Sequence, residues 1–148
     1  MATSSPAAAP PNVCAASRVR KASRRITQIY DHHLEPYELT IAQFGVLAQL
    51  RALPGSGVGE LAHKMIMDAT TLSRSLRLLE RRGLVACEAD RADGRARKLR
   101  LTPAGRAALD SAVAGWSAAQ KQIEEALGAS GMRALNATLD HALDLLSG

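Results

Sequence analysis

Thr70, Thr71, Ser73, Arg74 and Arg77 are the residues of this chain whose types and spacing most plainly suggest chemistry. They interleave with Leu72, Leu76 and Leu79, apolar positions that recur every three or four residues, as on the buried stripe of a helix. The polar set then falls on the opposite side. An arginine can bond two guanine acceptors in a major groove, while threonine and serine reach bases or phosphates. The same pattern also describes the solvated face of an ordinary amphipathic helix, so the decision rests on the segment just beyond Gly83.

That segment holds a second basic cluster in a different setting. Asp90-Arg91-Ala92-Asp93-Gly94-Arg95 is polar, carries a glycine suited to a tight turn, and lies between two short β-like runs. A guanidinium from Arg91 or Arg95 on such a hairpin can enter a narrow, electronegative minor groove. Asp93 is out of place near phosphate unless it aims one of those arginines. Arg97, Lys98 and Arg100 would meet phosphates along the hairpin, adding affinity without sequence information.

The charge distribution agrees. Nine basic and four acidic residues lie between Arg74 and Arg100, a net of +5. Arg18, Arg20, Lys21, Arg24 and Arg25 form a second block of +5 with no acid inside it, and the rest of the chain sums to −5. Positive charge concentrated in this way is the electrostatic footprint of a polyanion-binding surface.

The elements that must position these groups can be read from periodicity and punctuation. Hydrophobic residues make up 47% of the chain but aromatics only 3%, an Ala/Leu-rich balance that favours helices over a sandwich or barrel. Residues 1–12 are rich in Ala, Pro and Ser and uncharged, and are expected to be a disordered arm rather than a secretory signal. Val19, Ala22, Ile26, Ile29, Tyr30, His33 and Leu34 predict a helix over 13–35, stopped by Pro36. Thr40 with Gln43 is a capping box for a second helix, to Leu53. After Pro54-Gly55-Ser56-Gly57, residues 58–64 predict a short helix and Asp68 caps another over 69–82, ended by Gly83.

Strands are expected over 84–89 and 96–101, and Thr102-Pro103 opens a long helix with Thr as cap and Pro in the first turn. In it Leu109, Val113, Trp116, Gln120, Ile123 and Leu127 step by four and three. Residues 128–131 interrupt, and Met132, Leu135, Leu139, Ala142 and Leu146 continue. Such narrow seams pack helix on helix and suggest a second copy of the chain. The fold class expected is mainly α with a small β-hairpin, a winged helix-turn-helix plus a helical dimerisation region. Its parts are the arm (1–12), a dimerisation helix (13–38), the winged helix-turn-helix (39–101) and dimerisation helices (102–148).

Several motifs in this order carry a family resemblance. Glu60-Leu61-Ala62, Asp68-Ala69-Thr70-Thr71-Leu72-Ser73-Arg74 and Leu78-Leu79-Glu80-Arg81-Arg82-Gly83-Leu84-Val85 are followed by Asp90-Arg91-Ala92-Asp93-Gly94-Arg95 and Leu101-Thr102-Pro103-Ala104-Gly105. The set resembles the MarR family of bacterial transcriptional regulators, over nearly the whole chain after the arm. The resemblance implies a homodimer joined through its first and last two helices. One recognition helix per subunit would lie in successive major grooves of a pseudopalindrome, with wing arginines in the minor groove and Asp93 and Arg95 matching the family's Asp-x-Arg element. It implies a repressor that releases its operator when a small aromatic or phenolic effector binds beneath the dimer region. With no secretory signal and no apolar run of membrane-spanning length, the chain is expected to be cytoplasmic, and no cofactor is expected. In the segments where family ligands lie, this chain offers Arg18, Arg25, Tyr30, His32, His33, Tyr37 and Trp116.

Other chemistries are weighed against that reading. Cys14 and Cys87 are too few for a disulfide framework or a four-ligand zinc site. Hydroperoxide sensors in the family carry a reactive cysteine near the start of the first helix, which makes Cys14 the alternative switch, although it falls about two residues ahead of the expected place. Of the four histidines, the adjacent His32 and His33 would point about 100° apart on a helix, a poor geometry for one metal ion. No phosphate loop, nucleophile elbow or paired metal motif argues for an enzyme. The aromatic platforms of single-stranded RNA recognition are missing too.

Overall fold

The computed structural model describes residues 13–148, so the arm expected over residues 1–12 lies outside the described residues. The chain runs α1 (Ala15–Leu34), a 3-10 turn (Glu35–Tyr37), α2 (Ile41–Ala52), α3 (Val58–Lys64), α4 (Ala69–Arg81), β1 (Val85–Ala89), β2 (Arg97–Leu101) and α5 (Pro103–Leu146). That is the expected mainly helical chain with a single hairpin, with element ends shifted by one or two residues. Among the described residues, no helix is long and apolar enough to cross a membrane.

Local chemistry accounts for the boundaries. Pro36 turns the end of α1 into a 3-10 turn, and Glu38 then takes φ +55 before α2 begins. At the head of α2 the Thr40 hydroxyl accepts the Gln43 N–H at 3.2 Å while Gln43 Oε1 accepts the Thr40 N–H at 3.1 Å, the reciprocal capping box. The carboxylate of Asp31 on α1 accepts the Ile41 N–H at 2.7 Å, pinning α2 to the preceding helix. Gly83, at φ +71, ends α4 in the left-handed conformation that only glycine adopts without strain.

The core collects one apolar face from each element. Leu34, Leu47, Leu61, Leu72, Leu79 and Leu109 are fully buried, with Leu50 and Leu99 beside them. The stripe Leu72, Leu76 and Leu79 of α4 is buried as its spacing requires. The backbone of Gly55 and Ser56 hydrogen-bonds the outer edge of β2, Gly55 N–H to Leu99 O and Leu99 N–H to Ser56 O, both at 2.9 Å. This closes an edge that would otherwise be open.

The seam on α5 departs in part from the expected one: Leu109 and Ile123 are buried and Trp116 packs on the core, but Val113 and Leu127 do not belong to it. Gly105, Leu109, Ala112, Gly115, Ala119 and Ile123 are buried, whereas Val113 and Leu127 are 39% and 46% exposed. The reason is close approach of backbones. A β-carbon at Gly115 would lie 2.4 Å from His33 O and 2.7 Å from Tyr37 Cε2, so only a small-residue line lets α5 lie against the end of α1. The break expected over 128–131 is confined to Gly128, at φ 74 and ψ 158, after which the helix resumes. Beyond it Leu139, Leu143, Leu145 and Leu146 are exposed, as are Val13 and Val19 at the other end of the chain.

Candidate nucleic-acid interface

The start of α4 is fixed by Asp68, whose carboxylate accepts the Thr71 backbone N–H at 3.0 Å and the Thr71 hydroxyl at 3.3 Å. With its leucines inward, α4 presents Thr70, Ser73, Arg74 and Arg77 along one shallow surface cleft with Ala69. Four of the five residues singled out from sequence are thus together, and Thr71 is partly committed to the cap. α3 precedes α4 through a turn in which Ile66 takes φ +51 and Met67 N–H bonds Ala62 O at 2.8 Å. Helix, turn and helix are therefore locked as a unit.

The hairpin comes directly after α4. β1 and β2 pair antiparallel, with Val85 opposite Leu101 and Ala89 opposite Arg97. Its tip is built from two aspartates that fold the chain onto themselves. Asp90 Oδ1 accepts the Ala92 N–H at 3.0 Å, and Asp93 Oδ1 accepts the Arg95 N–H at 3.1 Å. Asp93 therefore places Arg95 through the backbone rather than by pairing with a guanidinium. The Ala92 bond holds the Asp90 carboxyl below the usual carboxylate range, burial opposes it, and Lys98 adds to the lowering.

The cations of the hairpin divide into two groups. Lys98 pairs with Asp90 at 3.4 Å, Arg100 with Glu88 at 3.1 Å, and Arg97 Nη1 lies 3.9 Å from Cys87 Sγ. By contrast, among the described residues no ion pair or hydrogen bond holds the side chains of Arg74, Arg77, Arg91 and Arg95. Uncommitted guanidinia thus lie at both the helix face and the hairpin tip.

A single joint fixes helix, hairpin and α5 relative to one another. The Thr102 hydroxyl donates to Gly83 O at 2.6 Å and accepts the Gly105 N–H at 3.0 Å, while Thr102 N–H reaches Leu84 O at 3.2 Å. Arg82 ties the end of α4 to the turn before α2, donating to Glu38 O at 2.7 Å. Sequence reasoning marked Thr102 as a cap but not as the clamp on the end of α4. A Thr-Pro step directly after a strand was the available signal.

The residues considered for an effector do not form one pocket. Tyr30 donates to Gln120 Oε1, and His33 Nε2 meets Gln122 Oε1 at 2.7 Å, both between α1 and α5. Burial raises the Tyr30 hydroxyl above its usual range, with Glu124 adding to it. Tyr37 packs on Gly115, and Trp116 stacks on Phe44 with ring centroids 6.3 Å apart. His32, its ring centroid 5.5 Å from that of His33, lines a cleft with Asp31, Glu35 and Glu38. Arg25 Nη1 donates to Gln28 Oε1 at 3.5 Å. Arg18, twelve residues before Tyr30, is about 18 Å from it along the helix axis. Cys14 is exposed at the head of α1, Cys87 is half-buried on β1, and both thiols are free. Among the described residues, no group of three or more His, Cys, Asp or Glu is arranged to hold a metal ion.

Comparison with known proteins places this geometry in a context. Residues 37–96, from the turn before α2 to the hairpin tip, match the MarR family. The chain is similar to the transcriptional regulator MosR of Mycobacterium tuberculosis, solved in complex with DNA. Identity is 36%, TM-score 0.77, and the match covers 91% of this chain and 99% of that one. It is also similar to BpsR of Bordetella bronchiseptica, whose DNA binding is regulated by 6-hydroxynicotinic acid. Here identity is 25%, TM-score 0.83, and coverage 93% and 98%. An HTH-type transcriptional regulator of Bacillus cereus is 31% identical over 96 residues, 65% of this chain; the match spans 63% of that relative's own length.

Proposed function

The chain belongs to the MarR family of helix-turn-helix transcriptional regulators, and we propose that it binds double-stranded operator DNA as a homodimer and represses from it. The observation that carries this reading is the pairing of two uncommitted cationic sets. Arg74 and Arg77 lie beside Thr70 and Ser73 on the outer face of α4, and Arg91 and Arg95 lie at the tip of the next element, the hairpin. A helix face of this kind reads base edges in a major groove, and a cationic hairpin tip reads minor-groove shape. Thr71 and Asp93 then act by fixing the backbone, while Arg97 and Lys98 contact phosphate. That the similar regulator MosR was solved in complex with DNA supports DNA as the ligand.

A second copy supplies what the single chain leaves uncovered. Leu139, Leu143, Leu145 and Leu146 beyond Gly128, and Val13 and Val19 on the amino-terminal side, are exposed apolar residues that a partner copy would cover. The charges of the two segments are complementary: Arg18 to Arg25 is basic, whereas 124–148 carries Glu124, Glu125, Asp140 and Asp144 against Arg133. Two such dimer-linked helices would address two half-sites about one helical turn of DNA apart.

The switch on this reading is a small aromatic acid or phenol bound beneath the dimer helices, near Tyr30, His33, Tyr37 and Trp116. The polar and aromatic side chains of Tyr30 and His33 against α5, and of Trp116 against Phe44, support it, and so does the control of BpsR by a hydroxylated aromatic acid. Arg18, Arg25 and His32 would take part only from neighbouring surfaces. Exposure of Cys14 favours one other switch, in which its thiolate attacks a hydroperoxide, forming a sulfenic acid and releasing an alcohol or water.

The testing experiment is an electrophoretic shift on the DNA upstream of the protein's own gene, with a panel of aromatic acids and phenols and with hydroperoxide. Specific retardation relieved by an aromatic acid supports the main reading. Relief by hydroperoxide that vanishes in Cys14→Ser replaces it with the second, and no specific retardation at moderate salt sinks both.

A further inference from the structure

Four cationic side chains converge where α2 ends, β2 passes and α5 begins. Arg51 comes from the last turn of α2, Lys98 and Arg100 from β2, and Arg106 from the first turn of α5. With the Pro54-Gly55 turn they enclose a groove of about 380 Å³. Its floor is apolar, since Leu50 and Leu101 are 1% and 6% exposed. Three of the cations have acidic partners: Arg51 with Asp110 at 2.7 Å, Lys98 with Asp90 at 3.4 Å and Arg100 with Glu88 at 3.1 Å. Among the described residues, no ion pair or hydrogen bond holds the Arg106 side chain.

We propose that this groove binds a small organic polyanion, a phosphate ester or a di- or tricarboxylate. Its anionic groups would lie on Arg51, Lys98 and Arg106 and its carbon frame on Leu50 and Pro54. The three ion pairs are at the surface, where such pairs add little net stability and exchange readily. An oxyanion offers guanidinium groups short, charge-assisted and often bidentate bonds. With three of the four cations already paired, a ligand needs at least two negative charges to compete with those carboxylates and also satisfy Arg106. A concave site with an apolar floor and a polar rim suits a small molecule. A duplex would instead present its phosphates in a row along an outer surface.

Binding reaches the hairpin through Lys98. A ligand that draws Lys98 away leaves Asp90, which folds the tip through Ala92, without its cation. An unpaired acid then sits at the wing tip beside Arg91 and Arg95, and DNA affinity falls. This consequence rests on the function proposed above; the binding itself does not.

The experiment is a ¹⁵N NMR titration of the full chain with citrate and, separately, with inorganic pyrophosphate, at ionic strength held constant with sodium chloride. Saturable shifts centred on Gly55, Leu101 and Arg106 are expected. Arg106→Gln should weaken binding about tenfold, Arg106→Glu should abolish it, and Arg106→Lys should restore part of it. Absence of saturation, shifts confined to α4 and the hairpin tip, or an unchanged Arg106→Gln titration would overturn the proposal. So would an Arg106→Gln variant that loses DNA affinity but binds both anions like the parent, since that marks a DNA-backbone contact. A parent chain that fails to bind DNA would remove the proposed function and leave the anion titration readable.

Discussion

The carbonyl oxygen of Leu84 lies only 1.9 Å from where a β-carbon on Gly105 would stand. The end of α4, the start of the hairpin and the first turn of α5 meet there, with the Thr102 hydroxyl bonded to Gly83 O on the same side. The contact has no flexible side-chain end that can give way, because the obstructing atom is backbone. Gly105→Ala should therefore destabilise the chain by about 3 kcal/mol or more, read as a fall in the thermal midpoint. Thr102→Val should cost about 1–2 kcal/mol through the lost cap. A Gly105→Ala protein with the parent's midpoint would contradict the clamp.

Ile66 is the opposite case, a residue where a glycine would fit better. It takes φ +51 in the turn between α3 and α4 and is 69% exposed. A β-branched residue in the left-handed region stores about 1–3 kcal/mol of strain. Ile66→Gly relieves that strain, offset in part by the about 0.5–1 kcal/mol that glycine loses in conformational entropy on folding. A net gain of about 1 kcal/mol is expected in denaturant unfolding, and a lower midpoint would show that the isoleucine side chain makes a compensating contact.

These two positions show which information is legible in sequence. Capping residues act locally, so Thr40, Asp68, Gly83 and Thr102 announced the ends of their helices and the structure places each at the expected end. The α4 stripe and the hairpin were equally plain, because period and punctuation are short-range properties. The α5 seam was not. Large residues drew attention to Val113 and Leu127, yet the packed line runs through Ala112, Gly115 and Ala119, chosen by how near α1 comes. Likewise the strain at Ile66 arises from the geometry of the whole turn, and nothing in Met65-Ile66-Met67 signals it. Residue type also did not tell which hairpin cations are free: Lys98 differs from Arg95 in the Asp90 carboxylate that the folded tip brings to it.

That difference has a measurable consequence for DNA binding. Arg95→Ala should lower affinity for a cognate duplex about tenfold or more, while circular dichroism and sedimentation stay as in the parent. Arg74→Ala should relax discrimination between cognate and altered sites by about 1–3 kcal/mol. Lys98→Ala should do less than either and mainly flatten the salt dependence, its charge being already shared with Asp90. Equal effects of Arg74→Ala and Lys98→Ala on all sequences would remove α4 as the base-reading element.

The carboxyl-terminal leucines give a test of assembly. Leu139 and Leu143 lie one turn apart on α5 beyond Gly128, at 40% and 52% exposed. Within a single chain, Leu139→Glu with Leu143→Glu should then cost little stability. In a dimer that buries them, each substitution strands a carboxylate against apolar surface. Sedimentation velocity should show the doubly substituted chain as a monomer with largely retained helicity and the parent as a dimer. A parent that is monomeric at micromolar concentration would instead leave those leucines to another partner.

Asp90 sets the acid limit of the hairpin. The Ala92 N–H holds its carboxyl below the ordinary value against an opposing effect of burial, and Lys98 adds to the lowering. A group with a lowered pKa in the folded state binds fewer protons there than in the unfolded chain. Its contribution is therefore complete above the unfolded value of about 3.9 and is lost as pH falls through the folded one. The Asp90 carboxyl resonance should accordingly inflect below about pH 3.9, with the Ala92 amide moving in the same step. Asp90→Asn keeps an acceptor for Ala92 but loses the attraction to Lys98, so at neutral pH its tip should be less ordered than the parent's. That difference should close as the parent is acidified. An inflection at or above the ordinary value would mean that the Ala92 bond does not hold the hairpin tip in solution.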